Sequence, residues 1–316
     1  MSEPFLVGLV GARGHTGREL IRLIAGHPEL MLAYAVSRKF AGRPVAHVAP
    51  EDKDECIFEA LPPEDAAKRR ADIVILAMPD GAGADYVSAI EEHAPHRVIV
   101  DLSADRRFDD QWAYGLPEIN RKKIKSSARI ANPGCYATAM QLALAPLVEK
   151  FDGIPSVFGV SGYSGAGTTP SPRNDVERLA ENLIPYAVTG HKHEREASRH
   201  LGADVHFTPH VHPAFRGLLV TAHIPLKEKM DKGAVAKLFD DKYRGEPLIA
   251  LRDAPPELKD GAERKGVLIG GIDVSDDGRH AVVIAAEDNL LKGAAVQAIQ
   301  NVNLALDLPE LMGITD

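Results

Sequence analysis

Short unbroken apolar runs alternate with helical spacing through the first hundred residues. Phe5–Val10 is such a run and reads as a buried strand, followed by a glycine-rich turn. Thr16–Ala25 then places Leu20, Ile21, Leu23 and Ile24 at helical intervals. Leu30–Val36, Asp72–Ala77 and Arg97–Asp101 read as further strands, Pro79–Gly83 as a break and Ala84–His93 as a helix. Strands alternating with helices predict a parallel, doubly wound α/β sheet.

Arg129–Ala131 predicts one more strand before the tight turn Asn132-Pro133-Gly134, and a helix is expected from near Cys135 to about Lys150. Beyond it the pattern changes. Ser156–Ser161, Asp204–Pro209, Gly217–Ile224, Val267–Val274 and His280–Ala286 are β-like, with helices expected at Asp175–Leu183 and Glu194–Leu201. Runs of strands with fewer crossovers predict a second, α+β domain with a mixed or antiparallel sheet. Lys292–Leu306 has the spacing of an amphipathic helix that packs back on the first domain. The expected division is 1–134 with 288–316, and 135–287.

With 316 residues, 45% hydrophobic and 26% charged, the chain has the composition of a globular protein of two ordinary domains. A net charge of −8 argues against nucleic acid as a partner, because such binding sets positive charge against phosphate. No apolar run approaches the roughly 18 residues that span a bilayer. The start MSEPFLVG lacks the basic segment of a signal peptide, so a cytoplasmic protein with no membrane partner is expected. Neither cysteine, Cys56 or Cys135, has metal-site or disulfide-framework spacing. The two HxH pairs lack the further ligands of a zinc site, and no metal is expected.

Directly after the first strand comes Gly11-Ala12-Arg13-Gly14-His15-Thr16-Gly17, opening a helix. Such a turn lets backbone N–H groups approach a pyrophosphate at the positive end of a helix. An NAD site would place Asp or Glu about 20 residues downstream, on the ribose hydroxyls. Here the second strand ends in Ser37-Arg38-Lys39, whose hydroxyl and cations suit a 2′-phosphate. NADP(H) is the expected cofactor.

Cys135 stands where a strand hands over to a helix, and a thiol at a helix N-terminus has its ionisation favoured by the dipole. Cys56 reads as an ordinary buried or surface thiol. A nucleophilic thiol needs a base, and the richest histidine region begins at His191-Lys192-His193. On the junction after Gly190, His191 is the preferred acid–base group, with His193 in reserve.

These residues resemble the N-acetyl-γ-glutamyl-phosphate reductases of arginine biosynthesis. The similarity is carried by GARGHTGREL (11–20), AVSRKFAG (35–42), NPGCYATA (132–139), GVSGYSGAGTTPSPRN (159–174), GHKHEREA (190–197), FTPHVHPAFRG (207–217) and DNLLKGAAVQAIQNVN (288–303), in family order. The resemblance implies a Rossmann-type NADP domain and a substrate domain like that of glyceraldehyde-3-phosphate dehydrogenase. It implies a homo-oligomer, dimer or tetramer, acting on a small acyl phosphate. Cys135 would be the nucleophile and the GHxH histidine its partner. Arg216 would hold the substrate carboxylate, Ser164 and Gly165 would line the substrate pocket, and Asn289 would anchor the nicotinamide side. Ser37 and Arg38 match the 2′-phosphate segment. The chain departs from the commoner GVSGAGRKPS pattern and looks closer to the shorter branch of the family. Aspartate-semialdehyde dehydrogenase and carrier-linked glutamyl- or aminoadipyl-phosphate reductases share this chemistry, and a non-catalytic NADP sensor is the rival from another class.

Overall fold

The computed structural model describes residues 3–50 and 56–314. They form two compact units, Met1–Pro133 with Ala294–Asp316, and Gly134–Gly293.

In the first unit β1 (Phe5–Val10) leads into α1 (His15–Ala25), β2 (Leu30–Val36), the two-residue β3 (Phe58–Glu59) and α2 (Pro63–Lys68). Then follow β4 (Ile73–Leu76), α3 (Ala84–His93), β5 (Val98–Asp101), β6 (Ala113–Tyr114), α4 (Pro117–Lys125) and β7 (Arg129–Ala131). All the strands pair in parallel, in the order β3-β2-β1-β4-β5-β7-β6. Every residue of β4 and β5 is buried, as expected of strands covered on both faces. The strand order reverses direction between β1 and β4, so the end of β1 is the switch point where such sheets bind ligands.

The second unit opens with α5 (Cys135–Leu144), then β8 (Ser156–Gly162), α6 (Val176–Leu179), β9 (Ile184–Pro185) and α7 (Lys192–Leu201). It continues with β10 (His206–His212), β11 (Leu218–Pro225), α8 (Lys232–Tyr243), β12 (Ile249–Leu251), α9 (Leu258–Gly261), β13 (Val267–Val274) and β14 (His280–Glu287). Its mixed sheet has the order β12-β13-β14-β11-β8-β10-β9. β8 pairs parallel with β10 but antiparallel with β11, and β13 pairs parallel with β12 but antiparallel with β14. α5 packs on β11 and β14 and is buried from Tyr136 to Leu144.

Several elements differ from the sequence pattern. The helix from Cys135 keeps α geometry only to Leu144 and continues as 3-10 turns over Ala145–Lys150, because Pro146 removes a backbone donor. The helix expected at Asp175–Leu183 is a single turn, α6. Asp175 caps it through Glu177 N and Arg178 N, but Glu181 takes a positive φ of 52° and the chain leaves extended. α8 escapes pattern reading because its buried stripe is thin: Val235, Phe239 and Tyr243.

The largest correction concerns the C-terminal segment. It starts as a π-helical turn at Leu291–Ala295 and continues as α10 (Val296–Ala305), which returns to the first unit against α1, α4 and β5. Far from having a solvated face, α10 is buried from Val296 to Leu304, its amides included. Hydrogen bonds to backbone and side-chain acceptors offset the cost of that burial. Asn301 Nδ2 donates to Gly115 O (2.9 Å) and Asn132 Oδ1 (3.0 Å), and Asn303 Nδ2 to Glu310 O (3.1 Å) and Met312 O (2.9 Å). Asn301→Ala strands both acceptors in the core, so it should lower stability by about 1–3 kcal/mol. An unchanged urea midpoint would show that these bonds contribute nothing.

Candidate active site

The phosphate-cradling turn is built in the first unit. Gly11 has φ +83°, and a Cβ there would lie 2.2 Å from Ala77 O. A Cβ on Gly17 would lie 2.6 Å from Ala12 O. Both positions therefore require glycine, one for the turn and one for close packing of α1 on it. Gly14 caps α1 without any side-chain hydrogen bond, and no acidic residue stands in the first turn. The helix start thus keeps its donors and its positive end for an anion. Arg13, His15 and Thr16 lie on this turn and first helical residues. At the end of β2, Ser37 is buried and its Oγ accepts from Phe40 N (3.3 Å), closing the loop that carries Arg38. No carboxylate occupies that loop. These residues fit a dinucleotide with a 2′-phosphate.

In the second unit Cys135 is the first residue of α5, half-buried and not in a disulfide. Gly134, its N-cap, has an extended backbone, and its N–H donates to the buried Glu196 Oε1 (2.9 Å). Glu196 lies on α7 one turn beyond His193, so the two share a face of that helix. α7 begins two residues earlier than the sequence pattern predicts, and this changes both histidines. His191 is the N-cap, its Nδ1 accepting from His193 N (3.1 Å), while His193 stands within the first turn, buried.

The rings form one cluster. Tyr136 lies 6.5 Å from His191 and 6.2 Å from His193, centroid to centroid, and its hydroxyl donates to His210 O (2.8 Å). Tyr186 meets His191 edge-on at 5.5 Å and bonds to Tyr136. The Arg173 guanidinium sits 4.8 Å over the Tyr186 ring. Burial raises the Tyr186 phenol, and the charge of a Cys135 thiolate raises it further. Cys135 and this aromatic group are therefore neighbours. Burial holds His191 down to about 4, with Lys192, Arg173 and Arg195 acting in the same sense.

The predicted substrate residues and Asn289 are linked to one another in the second unit. Asn289 spans two loops: its Nδ2 donates to Ser164 Oγ (2.9 Å) and its Oδ1 accepts from Gly217 N (3.0 Å). Gly165 lies next to Ser161 and Asn289. Arg216 Nε is 3.5 Å from Oδ2 of the wholly buried Asp288. Burial raises the Asp288 carboxyl, opposed by the Glu263 N–H and by Arg216. The main chain of Asp288 reaches Gly293, where a Cβ would lie 2.6 Å from Cys135 Cβ. A chain of close packing thus runs from the thiol through Gly293 to the arginine. Cys56 belongs to the first unit, beside Ile57 and the start of β3.

Sequence reading missed Glu196, Tyr186, Arg173 and Asp288. Glu196 carried a signal, its i+3 spacing from His193, which becomes visible once the helix starts at Lys192. Tyr186 and Arg173 carried none, because a loop of undetermined course brings them in.

The first unit matches the model of the semialdehyde dehydrogenase NAD binding domain over residues 6–127. The second matches the semialdehyde dehydrogenase dimerisation domain over residues 135–289. A crystal structure of aspartate semialdehyde dehydrogenase II from Vibrio cholerae superposes with a TM-score of 0.79 at 18% identity, covering 97% of this chain and 99% of that one. The enzyme with NADP from Candida albicans gives 0.73 at 18%, covering 96% and 99%. Fold and domain matches thus define an oxidoreductase of the semialdehyde dehydrogenase class. N-acetyl-γ-glutamyl-phosphate reductase of Stenotrophomonas maltophilia is 51% identical over 99% of this chain and 98% of its own. That of Xylella fastidiosa (strain 9a5c) is 50% identical over 99% and 94%. The chain belongs to the N-acetyl-γ-glutamyl-phosphate reductase family.

His191 is neutral in the folded chain, whereas unfolding restores its ordinary value of 6.5. As pH falls the unfolded state takes up this proton first, so stability is lost from about pH 6.5 down toward about 4. His191→Asn keeps a capping acceptor without the titration and should flatten that part of the stability–pH curve. Identical curves for variant and parent would remove His191 as the cause.

Proposed function

We propose that the protein reduces N-acetyl-γ-glutamyl phosphate to the semialdehyde with release of phosphate, in the cytoplasm, as a homo-oligomer built through the second unit. One observation carries the reading. A half-buried thiol opens α5 against the His193/Glu196 face of α7, in a chain about 50% identical to named reductases. Identity to the aspartate-semialdehyde dehydrogenase structures is only 18%, which supports the longer substrate over aspartyl phosphate.

The Cys135 thiolate attacks the acyl carbon; the C–S bond forms, the C–O bond to phosphorus breaks, and phosphate leaves. Gly11, Arg13, Gly14, His15, Thr16 and Gly17 would hold the pyrophosphate of NADPH, and Ser37 and Arg38 its 2′-phosphate; when bound, the cofactor would supply the hydride for reduction at the acyl carbon. His193 gives a proton to the oxygen as the carbonyl is reduced and takes it back as the thiohemiacetal collapses, so sulfur departs as thiolate. His193 is favoured over His191 because helix capping already occupies His191 Nδ1, and burial, with Lys192, Arg173 and Arg195, holds that ring neutral. Glu196, through Gly134 N, positions the turn before the sulfur. Arg216, steadied by Asp288, orients the substrate carboxylate. Ser164 and Gly165 border that position, and Asn289 holds their loop against the arginine's own loop.

Cys135→Ser should cut phosphate-dependent NADP reduction with N-acetylglutamate semialdehyde by at least ~10³-fold while NADPH binding persists. Near-normal turnover would refute the covalent route, and a preference for aspartate semialdehyde in the same assay would refute the substrate. His193→Asn should lower kcat by about 10²–10⁴-fold with little change in KM. If His191→Asn shows the larger loss, the acid–base role passes to His191.

A further inference from the structure

An acyl phosphate with a carboxylate at its other end brings two anionic groups to the thiol. Arg216 suits the carboxylate, because the wholly buried Asp288 beside it offsets part of its charge and leaves it matched to a single negative charge. The phosphate is the more highly charged end. It must be held as it leaves and, in the reverse direction, before it attacks.

Arg173 has no carboxylate partner among the described residues. Its Cζ lies 4.8 Å over the Tyr186 ring, and it is hydrogen-bonded to the Tyr186 side chain. Arginine has only donors, and the Tyr136 hydroxyl gives its proton to His210 O (2.8 Å). The bonds therefore run one way, from Arg173 to Tyr186 to Tyr136 to His210. Stacking uses the flat face of the guanidinium and leaves its remaining edge donors for a ligand. Tyr136 follows Cys135 in the chain and Tyr186 feels the Cys135 charge, so these two rings carry the guanidinium to the side of the thiol.

The loop that bears Arg173 is closed on itself by the next residue. Asn174 Oδ1 accepts from Ser171 N (2.7 Å) and Ser171 Oγ (3.2 Å), and its Nδ2 donates to Gly167 O (2.9 Å) and Thr169 O (2.8 Å). Lys192 and Arg195 stand near enough to act on His191 together with Arg173. Glu194, between them in the chain, is engaged by backbone, its two oxygens accepting from Gly190 N (2.9 Å) and Phe207 N (2.8 Å). A chain of net charge −8 thus gathers three cations at one histidine beside the thiol, the local field that draws in a multiply charged anion.

We propose that Arg173, stacked on Tyr186, binds the phosphate: the leaving group of the acyl phosphate in reduction, and inorganic phosphate in the reverse direction. In reduction its donors stabilise the charge that gathers on the phosphate as the bond from carbon to the bridging oxygen breaks. In reverse they hold a phosphate oxygen toward the thioester carbon; the C–O bond forms, the C–S bond breaks, and sulfur departs as thiolate. Arg173 and Arg216 then divide the substrate between them, the unpaired guanidinium taking the phosphate and the one beside Asp288 the carboxylate.

This assignment rests on the function proposed above, and the phosphorylating direction separates the two, because inorganic phosphate is there a substrate with its own KM. With N-acetylglutamate semialdehyde, NADP and varied phosphate, Arg173→Gln should raise the KM for phosphate at least ~10-fold and that for the semialdehyde less than ~3-fold. Arg173→Lys keeps the charge without the fork and should fall between Arg173→Gln and the wild type. It carries the test if the glutamine variant does not fold by circular dichroism, with the rise in the KM for phosphate then at least ~3-fold. Arg216→Gln should show the opposite split, raising chiefly the KM for the semialdehyde. A wild type whose turnover does not depend on phosphate overturns the proposed function and this assignment with it. A phosphate-dependent wild type whose KM for phosphate survives Arg173→Gln overturns the assignment alone. So does an equal rise in both KM values, which marks Arg173 as a structural prop, or a reversed split between the two arginine variants.

Discussion

One hydrogen bond between a buried carboxylate and a backbone amide organises the second unit: Glu196 Oε1 accepting from Gly134 N. The first amides of a helix have no partner within it, and a buried one requires an acceptor from elsewhere. Here that acceptor comes from α7, so the two helices are joined end to side at the residue before Cys135. His193 follows automatically, since it precedes Glu196 by one helical turn. Gly293 completes the fit from the other side, because any side chain there would occupy the volume of Cys135 Cβ. The turn before the thiol and the helix face that carries His193 and Glu196 are thereby joined through the backbone.

Buried polar groups repeat this role elsewhere. Asn289 ties the Ser164 loop to the Gly217 loop with both ends of one amide, and Asp288 beside it fixes Arg216 while accepting from three backbone N–H groups. In the first unit Asn301 and Asn303 hold α10 inside a layer that its polar sequence would seem to exclude. In each case the amide or carboxylate is buried because the backbone it meets would otherwise be unsatisfied. These residues therefore set loop geometry, and through it the position of the Arg216 side chain.

His191 and His193 show how adjacent residues of one type take different parts. The cap position makes one ring an acceptor and, by burial among cations, a neutral one. The next histidine along is spared the cap and lies buried inside the first turn. Two residues of offset in where a helix begins decide which histidine is the cap and which lies inside the helix, and helix starts are the least legible feature of a sequence.

The sequence alone determined the parallel sheet, because β4 and β5 are buried on both faces and β1 and β2 over most of their length, and such strands need unbroken apolar runs. It also determined the glycine turn at residues 11–17 and the position of Cys135 at a strand-to-helix junction, since local backbone requirements leave local marks. Only the tertiary structure decided what depends on distant partners. It buried α10, whose Asn and Gln residues read as a solvated face until Gly115 and residues 310–312 supply their bonds. It brought Tyr186 and Arg173 to the histidines through a loop with no periodicity, and it set Glu196 on Gly134 across 62 residues. A short-range constraint is written in neighbouring residues. A long-range one exists only once the chain has closed on itself.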